Sequence, residues 1–353
     1  MKKAIRIAGR VLMVLAVTLG ILVGTLYLTL QKCCNGSSQA ARSLFITTIL
    51  ETGQLKFLAS WVCSEAEIQE IVDQNKMEEL HGDVDPGLIT VEPDDTPEDG
   101  PAETFDENGI RIEEISGRTF YAKMMIIKDP SKVKVGSTYP WGEFGKNLDK
   151  IVSGAGAVAG VNGGLYKSEG NKGGEPLGVV VQDGKILYND PRMTGVVLIG
   201  LNNENILMVK DLSGMTEAQV AAYVKEAGIR DAVAFQEESS DANNHFVSLI
   251  INGEARKMGG QGSGANPRTA IGQRADGAIL LLVTDGRGVG GHLGATSSDL
   301  ISIMQQYGAV NAANLDGGSS SSMVYKGAYE MSSVTFYFRN SSWKLPTAFV
   351  VMP

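Results

Sequence analysis

The chain has little from which to build a metal or redox centre. Its 353 residues include only three cysteines and three histidines. Cys33, Cys34 and Cys63 all precede the glycine-rich part of the sequence, at spacings that match no zinc site, and no cysteine remains for a disulfide in the globular region. His81, His245 and His292 are scattered, so a histidine cluster is not expected. Positive charge is also scarce. The net charge is −9 and only the first ten residues lean strongly basic, which argues against nucleic acid as a partner. No metal site or cofactor is expected from these residues.

What is present is a chain long enough for one large or two medium domains, 43% hydrophobic and carrying 43 glycines. Lys2, Lys3, Arg6 and Arg10 precede an uncharged apolar stretch over 11–30. That stretch is long enough to cross a hydrocarbon core of roughly 30 Å as a helix. The basic flank keeps the N-terminus in the cytoplasm and places the rest of the chain outside. A cleaved signal peptide has a shorter apolar region, about 7–15 residues, and ends in a small-x-small site. The run here ends in Tyr27-Leu28-Thr29-Leu30-Gln31-Lys32-Cys33, which lacks one. Residues 1–32 therefore read as a cytoplasmic flank and single-pass anchor of the cell membrane, with an extracytoplasmic C-terminal domain.

Residues 33–109 read as a juxtamembrane segment. The apolar stretch 42–63 suits a membrane-proximal helix. Ser64-Glu65-Ala66-Glu67 is a capping box that predicts a helix over about 65–80. From 78 to 108 the chain is rich in Asp, Glu, Pro and Gly and has no Lys or Arg, so it should form an extended, solvated linker. Its carboxylates match no EF-hand spacing.

The functional domain is then 110–353. Short strands are expected at 118–128, 157–161, 177–182, 195–200, 205–210, 231–236 and 247–251, and helices at 216–227 and 296–307. Many strands with few helices indicate an α+β, mixed-sheet domain. Two apolar runs each stop at an Asp-Gly pair, giving Thr284-Asp285-Gly286-Arg287 and Leu315-Asp316-Gly317-Gly318-Ser319. Each puts a carboxylate where a buried strand turns sharply, and the two strand ends can share one sheet edge. Gly160-Val161-Asn162-Gly163-Gly164 is another strand end, opening into a glycine turn that exposes Asn162 and backbone donors. In Asn266-Pro267-Arg268 the proline fixes the backbone before a guanidinium, which can then be aimed at an anion. The segment 286–291 satisfies G-x-G-x-x-G, but the next helix starts too far along to present its N-terminus to a pyrophosphate. One arginine, two strand-end carboxylates and several donor-rich turns suit a phosphorylated, hydroxyl-rich substrate.

On these residues the sequence resembles the phosphodiester glycosidases. The matching stretches are 160–164, 176–178, 266–272, 282–287, 308–319 and 345–350, in family order. The resemblance implies a hydrolase that cleaves sugar-1-phosphodiesters, with a phosphorylated envelope or extracellular glycan as partner. It also implies Arg268 on the phosphate, and Asp285 and Asp316 as acid, base or nucleophile. Asn162, Gly163, Gly164, Arg287, Gly317, Gly318 and Ser319 would position the substrate. The chain departs from many relatives at 235–241 and 339–344, which brings in Glu175 and Glu238 as further carboxylates and moves Arg339 away from the final strand. The alternative is an envelope-glycan binding or exopolysaccharide assembly protein that keeps the fold without catalysis.

Overall fold

The computed structural model describes residues 2–52, 56–80, 82–91, 104–237, 246–332 and 341–353. Glu238, Arg339, His81, His245 and the centre of the acidic linker (92–103) lie outside the described residues.

The N-terminal part is helical. Helix α1 (Lys2–Cys34) contains a stretch, Ile5–Cys34, that is long and apolar enough to cross a membrane; a signal sequence has the same character. Helix α2 (Gln39–Leu50) is capped by Ser38, α3 spans Phe57–Val62, and α4 (Glu65–Gln74) starts at the expected capping box of Ser64 and Glu67. Cys34, Ile46, Ile49, Leu50, Ala59, Cys63, Ile71 and Val72 pack into a small core of their own. Helix α4 stops earlier than the expected 80. Past Asn75 the backbone pairs with a distant segment instead: Glu78 N–H donates to Lys257, and Gly259 N–H donates to Lys76.

The linker is less solvated than its composition suggests. Val84 and Ile89 are buried in the main core, and the Thr90 N–H bonds to the Ala275 carbonyl. Asn252 and Lys210 also hold it, through the Asp85 N–H and the Asp83 carboxylate respectively.

The domain is α+β and built on three sheets. The first has seven strands, ordered β1 (Ile110–Ser116), β2 (Tyr121–Ile127), β13 (Ile279–Thr284), β12 (Thr269–Arg274), β14 (Ala309–Asn314), β10 (Ser248–Ile251) and β11 (Glu254–Ala255). The second is ordered β16 (Ala328–Ser332), β15 (Ser322–Tyr325), β4 (Ala159–Asn162), β17 (Thr347–Val351) and β3 (Val133–Ser137). The third is ordered β6 (Lys185–Asp190), β5 (Gly178–Gln182), β9 (Ile229–Gln236), β7 (Val196–Asn202) and β8 (Leu207–Asp211). Neighbouring strands run antiparallel throughout.

Helices cover the outer faces. Helix α5 (Leu148–Gly154) packs on the second sheet, α6 (Glu217–Glu226) places Val220 and Val224 in the main core, and α7 (Ser297–Gln306) packs on the first sheet. Burial on both faces explains why β13 is apolar without alternation. Its Leu280 and Leu282 meet α7, whereas Ile279, Leu281 and Val283 join the core between the sheets. Phe349 of β17 is fully buried in that core. Phe349→Ala should destabilise the domain by about 3–5 kcal/mol, read as a lower urea midpoint of the sheet signal in circular dichroism.

Candidate functional site

The register of the first sheet brings the predicted strand ends together. Strand β12 lies between β13 and β14 and runs opposite to both, so its start meets both of their ends. Arg268, just before β12, therefore stands between Asp285 and Asp316. Its N–H bonds to the Thr284 hydroxyl at 2.9 Å, and its carbonyl accepts from the Thr284 N–H at 2.9 Å. The Gly318 N–H bonds to the Pro267 carbonyl at 2.8 Å, closing the turn after β14 onto the same point.

The second sheet meets this edge at the end of β4. Asn162 is fully buried, and its amide donates to the Asp316 carbonyl at 2.5 Å. Its side-chain oxygen accepts from the Thr269 hydroxyl at 2.7 Å and from the Ser322 N–H at 3.1 Å. Asn162 thus holds the Asp316 turn rather than presenting its amide to solvent. Gly163 and Gly164 are packed as well. A Cβ on Gly163 would lie 2.6 Å from the Thr347 hydroxyl oxygen, and one on Gly164 would lie 2.4 Å from the Ala234 carbonyl oxygen.

The two aspartates have different surroundings. Asp285 is buried, accepting from the Tyr121 N–H at 2.8 Å with one oxygen and facing His292 Nδ1 at 2.6 Å with the other. The first of these bonds ties the carboxylate to the start of β2. With His292 it closes the loop 286–292, which is further held by Arg287 N–H to Leu293 and Gly288 N–H to His292. Scattered histidines gave no sign of this pair in the sequence. The one available signal was a histidine seven residues beyond Asp285, across a glycine loop.

Asp316 is partly exposed at the turn. Crowding by protein pushes its carboxyl up to about 7, against the opposing pull of the Ser320 hydroxyl, the Gly317 N–H and the Arg287 charge. Tyr166, behind it, hydrogen-bonds Ser320 at 2.9 Å.

Two guanidiniums serve the site. Arg287 has a left-handed backbone, φ +52°, which is uncommon for a residue with a side chain. From there it donates to Asn266 Oδ1 at 3.3 Å and to the Ser319 hydroxyl at 2.9 Å. Gly318, at φ +61°, leaves it room: a Cβ there would lie 2.8 Å from the guanidinium. Burial and the nearby Arg268 hold the Arg287 pKa below its usual value, and no described carboxylate forms an ion pair with it. Arg268 is buried and paired with Glu51 at 2.5 Å, a partner that sequence reasoning missed. Glu175 is half-buried and paired with Lys167 at 2.7 Å. Among the described residues no group of acids, histidines and cysteines could hold a metal.

The model of the phosphodiester glycosidase family matches residues 155–352. The chain belongs to that family. A zebrafish N-acetylglucosamine-1-phosphodiester alpha-N-acetylglucosaminidase catalytic domain, auto-inhibited by its pro-peptide, shares the fold at a TM-score of 0.52 and 18% identity, over 69% of this chain and 82% of that one. A putative exported protein of Burkholderia pseudomallei reaches a TM-score of 0.46 at 14% identity, over 66% of this chain and 74% of its own. The SPbeta prophage-derived protein YomE of Bacillus subtilis is 28% identical over 185 residues, 49% of this chain. The chain spans 25% of the length of that curated relative. All the predicted site residues fall inside the phosphodiester glycosidase match, whereas Glu51 and its helix lie outside it.

Asn162 and Asp316 each lend themselves to a stability measurement. Asn162→Ala leaves the buried Thr269 hydroxyl and Ser322 N–H unpaired and should cost about 1–3 kcal/mol in urea unfolding. Asp316, raised in the folded chain, binds its proton more tightly there than in the unfolded chain. Its contribution to stability is complete below the ordinary carboxylate range and is lost as pH rises through about 7. The stability difference between wild type and Asp316→Asn should therefore change across that window and be flat above it.

Proposed function

We propose that this phosphodiester glycosidase domain hydrolyses sugar-1-phosphodiesters, with Asp316 acting at the anomeric carbon and Arg287 binding the phosphate. The observation that supports this most is a guanidinium without a carboxylate partner among the described residues, set within electrostatic reach of a carboxyl that titrates near neutrality. A phosphodiester supplies the missing negative charge. It is also an acidic leaving group, so its departure needs little protonation. The chemistry then calls for a base rather than an acid, and a base is most effective with a pKa near the working pH. In the reaction the C1–O bond to phosphorus breaks and water oxygen bonds to C1. One water proton goes to Asp316, and the phosphate departs as a monoester anion against Arg287. Asp285 and His292 position the Arg287 loop.

The same reading makes α1 an uncleaved anchor. Leu30 and Cys34, at its C-terminal end, are buried, and Cys34 belongs to the core formed by α2 to α4, so removing α1 would open that core. With the basic flank inside, the domain faces the extracytoplasmic side and its substrate is an envelope or extracellular glycan.

The test is turnover of a GlcNAc-1-phosphodiester by the full chain in detergent. The expected kcat/KM rises with pH through about 7 and then levels, as Asp316 ionises. Asp316→Asn should lower it roughly 10²–10⁴-fold and Arg287→Lys roughly 10²-fold. Glycan binding without turnover, indifferent to Asp316→Asn, would favour the binding or assembly role instead.

A further inference from the structure

Helix α3 is apolar on both of its sides. Leu58, Ala59 and Val62 pack on the small core shared with α1, α2 and α4. Phe57 and Trp61, one turn apart on the other side, are 49% and 41% exposed, and their rings meet edge to face at 5.4 Å. Ser60, between them, turns its hydroxyl back onto the Phe57 carbonyl at 2.8 Å. A single exposed aromatic is ordinary, but a pair on a helix that already buries its inner side marks a contact. Helix α4, next in the chain, has the opposite character: Glu65, Glu70 and Asp73 stand exposed.

The place of α3 says what covers this pair. Residues 5–29 of α1 are exposed, whereas Leu30 and Cys34 are buried, so the bundle begins where the apolar stretch stops. Tyr27 stands near that level, 39% exposed, its hydroxyl accepting from Gln31 at 2.9 Å. Aromatic rings with a polar tip favour the boundary between membrane and water. Helix α3 packs on α1, and Cys63 at its end shares a core with Cys34. A helix of 6 residues spans about 9 Å, and headgroups add roughly 5–8 Å beyond the hydrocarbon on each side. An aromatic face carried on the end of α1 therefore reaches that layer. Lys32 and Lys56 lie at the same end of α1 and at the start of α3, where bases suit anionic headgroups.

We propose that the Phe57–Trp61 face of α3 seats in the headgroup–acyl boundary of the bilayer that α1 crosses, as a second membrane contact beside the anchor. This rests on the reading of α1 as an uncleaved anchor and not on the hydrolase reading. A lone spanning helix leaves the attached protein free to swivel about it, whereas interfacial aromatic and basic residues fix tilt and rotation. The bundle docks on the domain through Thr48, Glu51 and Asn75, which meet the Ala265 N–H, Arg268 and the Gln261 N–H. Seating α3 thus sets how the domain stands on the membrane.

The experiment uses the full chain in vesicles of phosphatidylcholine and phosphatidylglycerol, either plain or brominated on the acyl chains near the headgroup. The difference in fluorescence between wild type and Trp61→Phe isolates Trp61 from Trp141 and Trp343. Its emission should fall roughly twofold in brominated lipid, as expected for an indole at the interface. Phe57→Glu should remove most of that quenching, since a charge on the same face resists leaving water. Equal emission in the two lipids, from protein that stays with the vesicles through an alkaline wash, overturns the proposal and leaves α1 an anchor. Quenching in protein that the wash then releases upholds the contact and removes the anchor reading. Release without quenching overturns both. Emission that moves to shorter wavelength only at high protein-to-lipid ratio, without quenching, assigns the face to a second copy of the chain and overturns the proposal.

Discussion

The side-chain amide of Asn162 ties the site together. It stands at the end of β4 in the second sheet and bonds to the Asp316 carbonyl, the Thr269 hydroxyl and the Ser322 N–H. Those partners belong to the turn after β14, to β12 and to β15. One buried residue thus fixes where two sheets meet and, with that, the direction in which Asp316 leaves its strand. The glycines beside it answer to the same constraint. Thr347 and Ala234 lie too close to Gly163 and Gly164 for either to carry a side chain.

Charge is then distributed over a small volume around this joint. Burial and Arg268 depress the Arg287 pKa, whereas Glu51 and Asp316 raise it. Burial raises both carboxyls. Glu51 pairs directly with Arg268, whereas Arg287 is held by the Asn266 side-chain oxygen and the Ser319 hydroxyl.

Much of the fold was legible because the signals are local. The capping box at Ser64 marks a helix start, the helices expected at 216–227 and 296–307 are found at Glu217–Glu226 and Ser297–Gln306, and the apolar runs at 278–283 and 310–315 form strands. The shared edge of Asp285 and Asp316 was also readable, though the intervening β12 was not. Register between distant strands leaves no mark on either strand alone. Glu51 was missed for a similar reason: it is one acid in an apolar stretch, and its partner lies more than two hundred residues away. The acidic linker was misjudged where Val84 and Ile89 bury themselves, since composition averages over the two residues that matter.

The paired Asp-Gly strand ends carry a more general point. Asp285 and Asp316 have the same sequence signature, the same place at a strand end and a common sheet edge. Their neighbours give them different chemistry. Asp285 meets a backbone donor on β2 and an imidazole, so both of its oxygens are engaged and it braces a loop. Asp316 meets a crowded turn whose donors do not offset the loss of water, so its proton is held to near neutral pH. A strand-end carboxylate holds its proton to higher pH where its fold leaves it under-solvated and its donors do not compensate. Asp316 meets that condition, and Arg287, held in a left-handed backbone, reaches the same turn through the Ser319 hydroxyl.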